Sequence, residues 1–302
     1  MEDSAVMSNH PPTSGDARTG SPSGKRRWYR MKPKELITHA ILLTVCFFWV
    51  YPFLWMVSAS LKTEREIYAG LNLIPDALRW ENYQRAWDVA RMGQYFINTV
   101  IITGGSIAIV LVSVALMGYV LGRFQFPGKK VIITIFALTI FLPEGYTIIP
   151  VVELLQRLHL TNSLAGVTLA QAGGSHVVMI LLFAGYFSQL PKELEEAAVV
   201  DGAGFLRVFW EVMLPLAKPV IATTIILQFM NSWNAFLQPL VLTLSRPDLR
   251  TLAVGMYAFR GEYSTDWSGM AAAATISLAP IIITFLLLQR YFIEGIAGSV
   301  KQ

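Results

Sequence analysis

PKELEEAAVVDGAGFLRVFWEVMLPLAKP, residues 191–219, is a polar insert between two long apolar runs. Pro191 suits a first helical position, where its missing N–H would have no partner in any case, and Glu193, Glu195 and Glu196 follow near the positive end of the helix dipole. Leu194, Ala197 and Ala198 fall at i, i+3 and i+4, a small apolar face that lets another backbone approach closely. Asp201-Gly202 supplies turn chemistry, since Gly202 can take a positive φ that strains other residues. Beyond the turn, Phe205, Val208, Phe209 and Val212 form a second apolar stripe, and Leu214-Pro215 and Pro219 mark the return to apolar chain. The pattern predicts two short amphipathic helices joined by a glycine turn. Amphipathicity alone also fits a pair lying on lipid. However, Glu193, Glu195, Glu196, Asp201 and Glu211 outnumber Lys192, Arg207 and Lys218, a poor match for an anionic leaflet and a better one for a cleft in a protein partner.

Outside this insert the chain is strongly apolar. Of its 302 residues 54% are hydrophobic and only 15% charged, with a mean hydropathy of +0.50, which does not describe a water-soluble core. Runs at 36–61, 96–121, 131–150, 164–190, 219–244 and 269–289 each supply the roughly 20 apolar residues that a membrane-crossing helix needs. The expected fold is therefore all-α, a polytopic membrane protein with six transmembrane helices. The only carboxylate inside these runs, Glu144, sits beside Pro143 and Gly145, where a broken helix would bury it against protein or leave it at the interface. Ser58-Ala59-Ser60 resembles a signal cleavage site, but the first run is too long for a signal core and five others follow, so it reads as a retained helix. Residues 1–30 read as a disordered tail, rich in Ser, Pro, Gly and Thr, ahead of a six-span domain at 31–302 with its polar loop at 189–218.

Positive charge orients the chain. The amino-terminal tail, the second-to-third and fourth-to-fifth loops and the carboxyl-terminal tail together hold fifteen Lys and Arg, against nine on the other side. Both termini and the 189–218 loop are thus expected in the cytoplasm.

Catalytic and metal chemistry find no support. Cys46 is the single cysteine, and His10, His39, His159 and His176 are scattered without zinc-ligand spacing. Residues 122–130, GRFQFPGKK, carry one residue too many between the glycines for a phosphate loop and a Lys where Ser or Thr must hold magnesium. If ATP drives this protein, another chain must hydrolyse it. An ion-coupled transporter would place titratable groups near the midplane, where only Glu144, His39 and His176 are candidates, with no pairing in sequence. The formal charge of +4 does not point to nucleic acid.

Glu196-Ala197-Ala198, Asp201-Gly202-Ala203 and Leu214-Pro215 together resemble the EAA motif of ABC importer permeases. The resemblance runs from about Pro33 onward and is closest to carbohydrate permeases of the maltose-permease type. It is carried also by Ser60-Leu61-Lys62, Glu81-Asn82-Tyr83, Gly122-Arg123-Phe124, Phe126-Pro127-Gly128, Trp233-Asn234-Ala235-Phe236, Leu249-Arg250-Thr251-Leu252 and Gln289-Arg290-Tyr291-Phe292. The first 30 residues have no counterpart in that pattern, and the family's usual Gly-Ala-Val-Lys-Gly ending is Gly298-Ser299-Val300-Lys301-Gln302 here.

The resemblance implies a non-catalytic permease subunit of a binding-protein-dependent importer in a bacterial cytoplasmic (inner) membrane, for a sugar or oligosaccharide. Glu196, Ala197, Ala198, Asp201, Gly202, Ala203, Leu214 and Pro215 would couple it to an ATPase. Its implied partners are a second permease subunit, two ATPase subunits that hold ATP and magnesium, and an extracellular or periplasmic substrate-binding protein. Arg250, Arg260 and Glu262, in the 245–268 loop, are candidate contacts to that binding protein. In the fifth run, Asn231, Asn234 and Gln238 would share one sector of a continuous helix, with Gln228 at its margin and Trp233 pointing away. Such a stripe could line a sugar path or simply join neighbouring helices, at roughly 0.6 kcal/mol per contact. The competing readings are a permease for an amino acid, phosphate or metal, and an ion-coupled secondary transporter.

Overall fold

A computed structural model describes residues 33–89, 91–141, 144–174, 176–261 and 264–299. The expected tail at 1–30 and the candidate contact Glu262 lie outside them. The chain divides into two compact units at Val50 and Tyr51. The described part of the first unit is the amino-terminal portion of α1 (Pro33–Ala59), an apolar helix none of whose 18-residue spanning window is buried. The second unit begins within α1 and continues with α2 (Glu64–Ala69), α3 (Glu81–Val89), α4 (Met92–Arg123), α5 (Lys129–Thr139), α6 (Ile148–Arg157), α7 (Leu164–Ala172), α8 (Val177–Gln189) and α9 (Glu193–Val200). Then come α10 (Phe205–Arg207), a π-helical turn at Val208–Met213, α11 (Leu214–Leu216), α12 (Lys218–Trp233), α13 (Leu237–Leu242), α14 (Leu252–Gly255) and α15 (Trp267–Ser299). Among the described residues there is no strand, only one isolated bridge between Arg260 and Thr265.

Among the described residues, three helices are long and apolar enough to cross a membrane: α1, α4 and the Trp267–Arg290 part of α15. Two bent pairs raise the number to five if each is one span: α7 with α8, bent by 56°, and Phe205–Leu216 with α12, bent by 82°. The run at 131–150 is not one helix. It ends as α5 at Thr139 and resumes through a 3-10 turn at Glu144–Thr147 into α6. Eleven residues of α5 rise only about 16 Å, well short of a hydrocarbon core of about 30 Å. Pro143, Gly145 and Pro150 within the run are poor helix residues, which accounts for the interruption. The Glu144 side chain lies outside the described residues.

The run at 219–244 is broken too. α12 stops at Trp233 and α13 starts at Leu237, because the ring of Pro239 clashes with continued helix four residues upstream, at Ala235.

α4 organises the packing. Its carboxyl-terminal half lies against α8 with Gly118 and Gly122 at the contact. A Cβ on Gly118 would meet the Phe183 Cβ and come within 3.1 Å of the Ala184 nitrogen, and one on Gly122 would sit 2.6 Å from the Ala184 carbonyl oxygen. Small residues here bring two backbones together, the usual way that helices in lipid gain contact. Val110, Val114, Tyr119, Ile180, Phe183, Phe187, Phe209 and Met213 form the core around that crossing. The amino-terminal half of α4 packs with α12, α14 and α15 through Tyr95, Phe229, Trp233, Leu252, Ala272 and Ala273. Trp233 stacks on Phe229 with ring centroids 5.0 Å apart, so it is a packing residue. Ile97, Val100, Ile101 and Val112 on the other faces of α4 are exposed, as a lipid-facing surface requires.

Candidate functional site

The helix-turn-helix between α8 and α12 has a defined cap at its centre. Gly202 takes φ +82°. Its N–H donates to the Val199 carbonyl (2.9 Å), and the Ala203 N–H donates to the Ala198 carbonyl (2.9 Å). These two bonds are the paired closure of a Schellman cap, in which a left-handed residue satisfies the last helical carbonyls. Ala198 and Ala203, the positions that flank the apolar side of such a cap, are both half-buried against the core around α4 and α8. The alanine–glycine–alanine spacing is thus the chemistry of a tight helix end. Nothing lies within 4 Å of a Cβ built on Gly202, so glycine is required there by backbone conformation alone.

Two details differ from the sequence expectation. The first helix starts at Glu193, with Pro191 and Lys192 preceding it, because the Lys192 carbonyl accepts the first bonds, from Glu195 and Glu196. In the second helix the π turn widens the spacing, so that Met213 follows Val208 and Phe209 onto the buried face while Val212 is only half-buried and Phe205 is 44% exposed. Of the motif residues, Glu196, Ala197, Asp201, Gly202 and Pro215 are exposed, whereas Ala198, Ala203 and Leu214 pack inward. Val199, Val200, Leu206 and Trp210 add an exposed apolar rim.

Sequence reasoning missed the clamp that holds this element. At the end of α4, Arg123 forms an ion pair with Glu195, with Nε and Nη2 each 2.9 Å from Oε2, and its side chain is only 5% exposed. Nη1 donates to the carbonyls of Leu190 (2.7 Å) and Phe187 (3.3 Å), and Nη2 to that of Pro191 (3.3 Å). One turn earlier, Tyr119 packs its ring within 5.4 to 5.6 Å of Phe124, Phe187, Phe205 and Phe209. The signal was present in Gly122-Arg123-Phe124, but nothing in the sequence assigned it a partner.

A second network lies at the other end of α4. Asn82 donates through Nδ2 to the carbonyls of Ser60 (2.9 Å) and Lys62 (2.8 Å), and the Tyr83 hydroxyl meets Ser60 Oγ at 2.7 Å. The Ser60-Leu61-Lys62 and Glu81-Asn82-Tyr83 segments therefore form one joint. The 245–268 loop is anchored nearby: Asn98 donates to the carbonyls of Asp248 (2.8 Å) and Arg250 (3.0 Å), and the Leu252 N–H donates to Thr99 Oγ1 (2.9 Å). Arg250 is half-buried, whereas Arg260 is exposed and lies 5.8 Å from the centre of the Tyr257 ring.

The amides of the fifth run do not share one helix. Asn231 is an exposed residue of α12, Asn234 is the cap after its last turn and donates to the Met230 carbonyl (2.9 Å), and Gln238 belongs to α13 and donates to the Ala170 carbonyl (3.4 Å). Gln228 is buried, with Nε2 donating to Ser106 Oγ (3.3 Å) and the Gln171 carbonyl (3.4 Å). The helix break at Asn234 removes the single-sector spacing, leaving Asn231 and Asn234 exposed and Gln228 joining α12 to α4 and α7.

With a long α4 crossed by broken helices and a glycine-capped polar loop before α12, the architecture is that of a membrane-embedded transport subunit. The chain belongs to the binding-protein-dependent transport system inner membrane component family, which matches residues 31–298. It is 34% identical to the diacetylchitobiose uptake system permease protein of Streptomyces coelicolor, over 88% of this chain and 87% of that protein. It is 31% identical to the melibiose/raffinose/stachyose import permease protein of Bacillus subtilis, over 90% of this chain and 98% of that one. A crystal structure of a bacterial ABC transporter involved in the import of the acidic polysaccharide alginate shares the fold, with a TM-score of 0.74 at 23% identity, covering 87% of this chain and 99% of that chain.

Proposed function

We propose that this chain is one of two permease subunits of an ATP-driven importer for a sugar or oligosaccharide, and that α9 with Phe205–Leu216 is the cytoplasmic element that engages a separate ATPase subunit. The carrying observation is the division of the helix-turn-helix into an inward side, Ala198, Ala203 and Leu214, and an outward side of Glu196, Asp201, Val199, Val200, Leu206 and Trp210. The outward side combines acidic and apolar groups, which suits a cleft in a protein. The sugar assignment rests on relatives whose names specify diacetylchitobiose and the oligosaccharides melibiose, raffinose and stachyose.

In this reading the chain crosses the membrane six times with both termini inside, the α5–α6 region forming the third crossing. An external binding protein delivers solute to the side that bears the anchored 245–268 loop, where Arg260 is exposed. Closure of two ATPase subunits, which bind ATP and magnesium, moves the coupling element and shifts the spans between inward- and outward-facing states.

The test is reconstitution with the second permease, the ATPase and the binding protein in liposomes, followed by uptake of a panel of labelled sugars and of glycerol phosphate, phosphate and amino acids. ATP-dependent uptake of one sugar is expected. Uptake confined to a non-sugar solute, or uptake driven by an ion gradient without ATP, overturns the assignment. Cysteines at Gly204 and Ser264, probed with an impermeant thiol reagent in spheroplasts, test the orientation: labelling is expected at position 264 only.

A further inference from the structure

We propose that Arg123 is a positioning residue for energy coupling: it ties α9 to the end of α4, so that movement of the coupling element is delivered to the helix around which α8, α12 and α14 pack and not only to α12. The proposal rests on the coupling role assigned above to α9. Three independent features of the structure converge on it.

The first is the guanidinium itself. It is almost fully buried, and its three nitrogens bond Glu195 and the carbonyls of Phe187, Leu190 and Pro191. A planar, permanently charged fork can hold a carboxylate and the carbonyls of a helix end at once, which a lysine ammonium cannot do with the same rigidity. The second is the pair of adjacent carboxylates on α9. Glu195 turns inward to Arg123 while its neighbour Glu196 is exposed, so the clamp leaves the motif glutamate free to meet the partner. The third is the stiffness of the attachment. Tyr119 is wedged among Phe124, Phe187, Phe205 and Phe209, and Gly118 and Gly122 hold α4 in backbone contact with α8.

The path toward α12 is bent by 82° around Ala217 and passes through a π turn, whereas the Arg123 bonds join the start of α9 directly to the end of α4. The α4 attachment has no such bend. A displacement of α9 therefore reaches α4 as a rigid push through Arg123.

The test uses the reconstituted complex with parental chain, Arg123→Lys, Arg123→Leu, Glu195→Gln and the Arg123→Leu/Glu195→Gln double variant. Two rates are read on complexes of parental stoichiometry: ATP hydrolysed and solute accumulated. Arg123→Leu and Glu195→Gln are expected to keep hydrolysing ATP while solute moved per ATP falls by about fivefold or more, the low end of ordinary site-to-site coupling. The double variant should be no worse than Arg123→Leu alone, and Arg123→Lys should recover part of the ratio. A purely structural role would lower both rates together. If Arg123→Leu fails to assemble, Glu195→Gln, which preserves side-chain volume, decides. A parental solute-per-ATP ratio in Glu195→Gln, or in any assembled Arg123→Leu complex, overturns the proposal. If the parental complex shows no ATP-dependent uptake, the coupling role of α9 itself falls, and this inference falls with it.

Discussion

Arg85 and Asp266, 181 residues apart in sequence, meet in a two-point ion pair, Nε to Oδ2 at 2.9 Å and Nη2 to Oδ1 at 3.0 Å. The same carboxylate accepts the Gly269 N–H (2.8 Å) and the Ser268 hydroxyl (3.0 Å), so it caps the start of α15 while holding α3 against it. Glu64 reinforces the cap by accepting the Ser268 N–H (2.7 Å). Burial acts to raise the Asp266 pKa, but the Gly269 N–H, the Ser268 hydroxyl and Arg85 together hold it below the ordinary 3.8.

Replacing Asp266 should therefore have a graded effect. Asp266→Asn keeps a cap acceptor and loses the ion pair, whereas Asp266→Ala loses both, at a further cost of about 1 kcal/mol. Because the folded pKa is depressed, the charge contributes stability fully above the unfolded value, and that contribution is lost as pH falls through the lower folded value. The stability gap between parent and Asp266→Asn should be constant from neutral to mildly acidic pH and close only in stronger acid. Thermal unfolding of the purified subunit across pH checks this. A gap that widens as pH falls contradicts the assignment.

Gly118 and Gly104 provide a matched pair on one helix. A Cβ at Gly118 meets Phe183 and the α8 backbone, while one at Gly104 meets nothing within 4 Å. Gly118→Ala should destabilise by about 1–3 kcal/mol through overpacking, and Gly104→Ala should be neutral or slightly stabilising through helix propensity. Melting temperatures in detergent should separate the two, and equal shifts would argue against the α4–α8 crossing.

At Gly202 the strain is one of backbone conformation alone, since the space around it is open. Gly202→Asn should retain most uptake, Gly202→Ala less, and Gly202→Val least, with a conformational cost of roughly 1–3 kcal/mol for the β-branched residue. Membrane insertion, measured by the yield of full-length protein, should be unchanged throughout. Parental uptake by Gly202→Val would show that the cap has no part in coupling.

Gln228 and Asn234 should respond differently. Gln228 is buried and joins α12 to Ser106 of α4 and to the Gln171 carbonyl, so Gln228→Ala should lower thermal stability, by about 2 kcal/mol for the cavity and lost bonds. Asn234 is exposed after the last turn of α12 and its amide bonds only the Met230 carbonyl of its own helix, so Asn234→Ala should leave thermal stability within about 0.5 kcal/mol of the parent. A loss as large as that of Gln228→Ala would show that Asn234 holds more than its own helix end.

Composition and periodicity were enough to make the chain helical and membrane-embedded, because the need to satisfy every backbone polar group in hydrocarbon leaves little else for such apolar runs to form. Local chemistry was enough for the turn at Gly202, since a positive φ after a short helix is a property of the few residues around it. Run length could not say where helices break. Residues 131–150 and 219–244 look continuous to a hydropathy count, yet Thr139 and Trp233 end helices because prolines farther along forbid their continuation. Nor could sequence spacing pair Arg123 with Glu195, Asn82 with Ser60 and Lys62, or Arg85 with Asp266. Each pair joins residues 20 or more positions apart, and which polar groups meet is decided only when the segments that carry them pack together; for the buried Arg123 and Asn82 side chains the pairing is forced, because polar groups withdrawn from water must find partners.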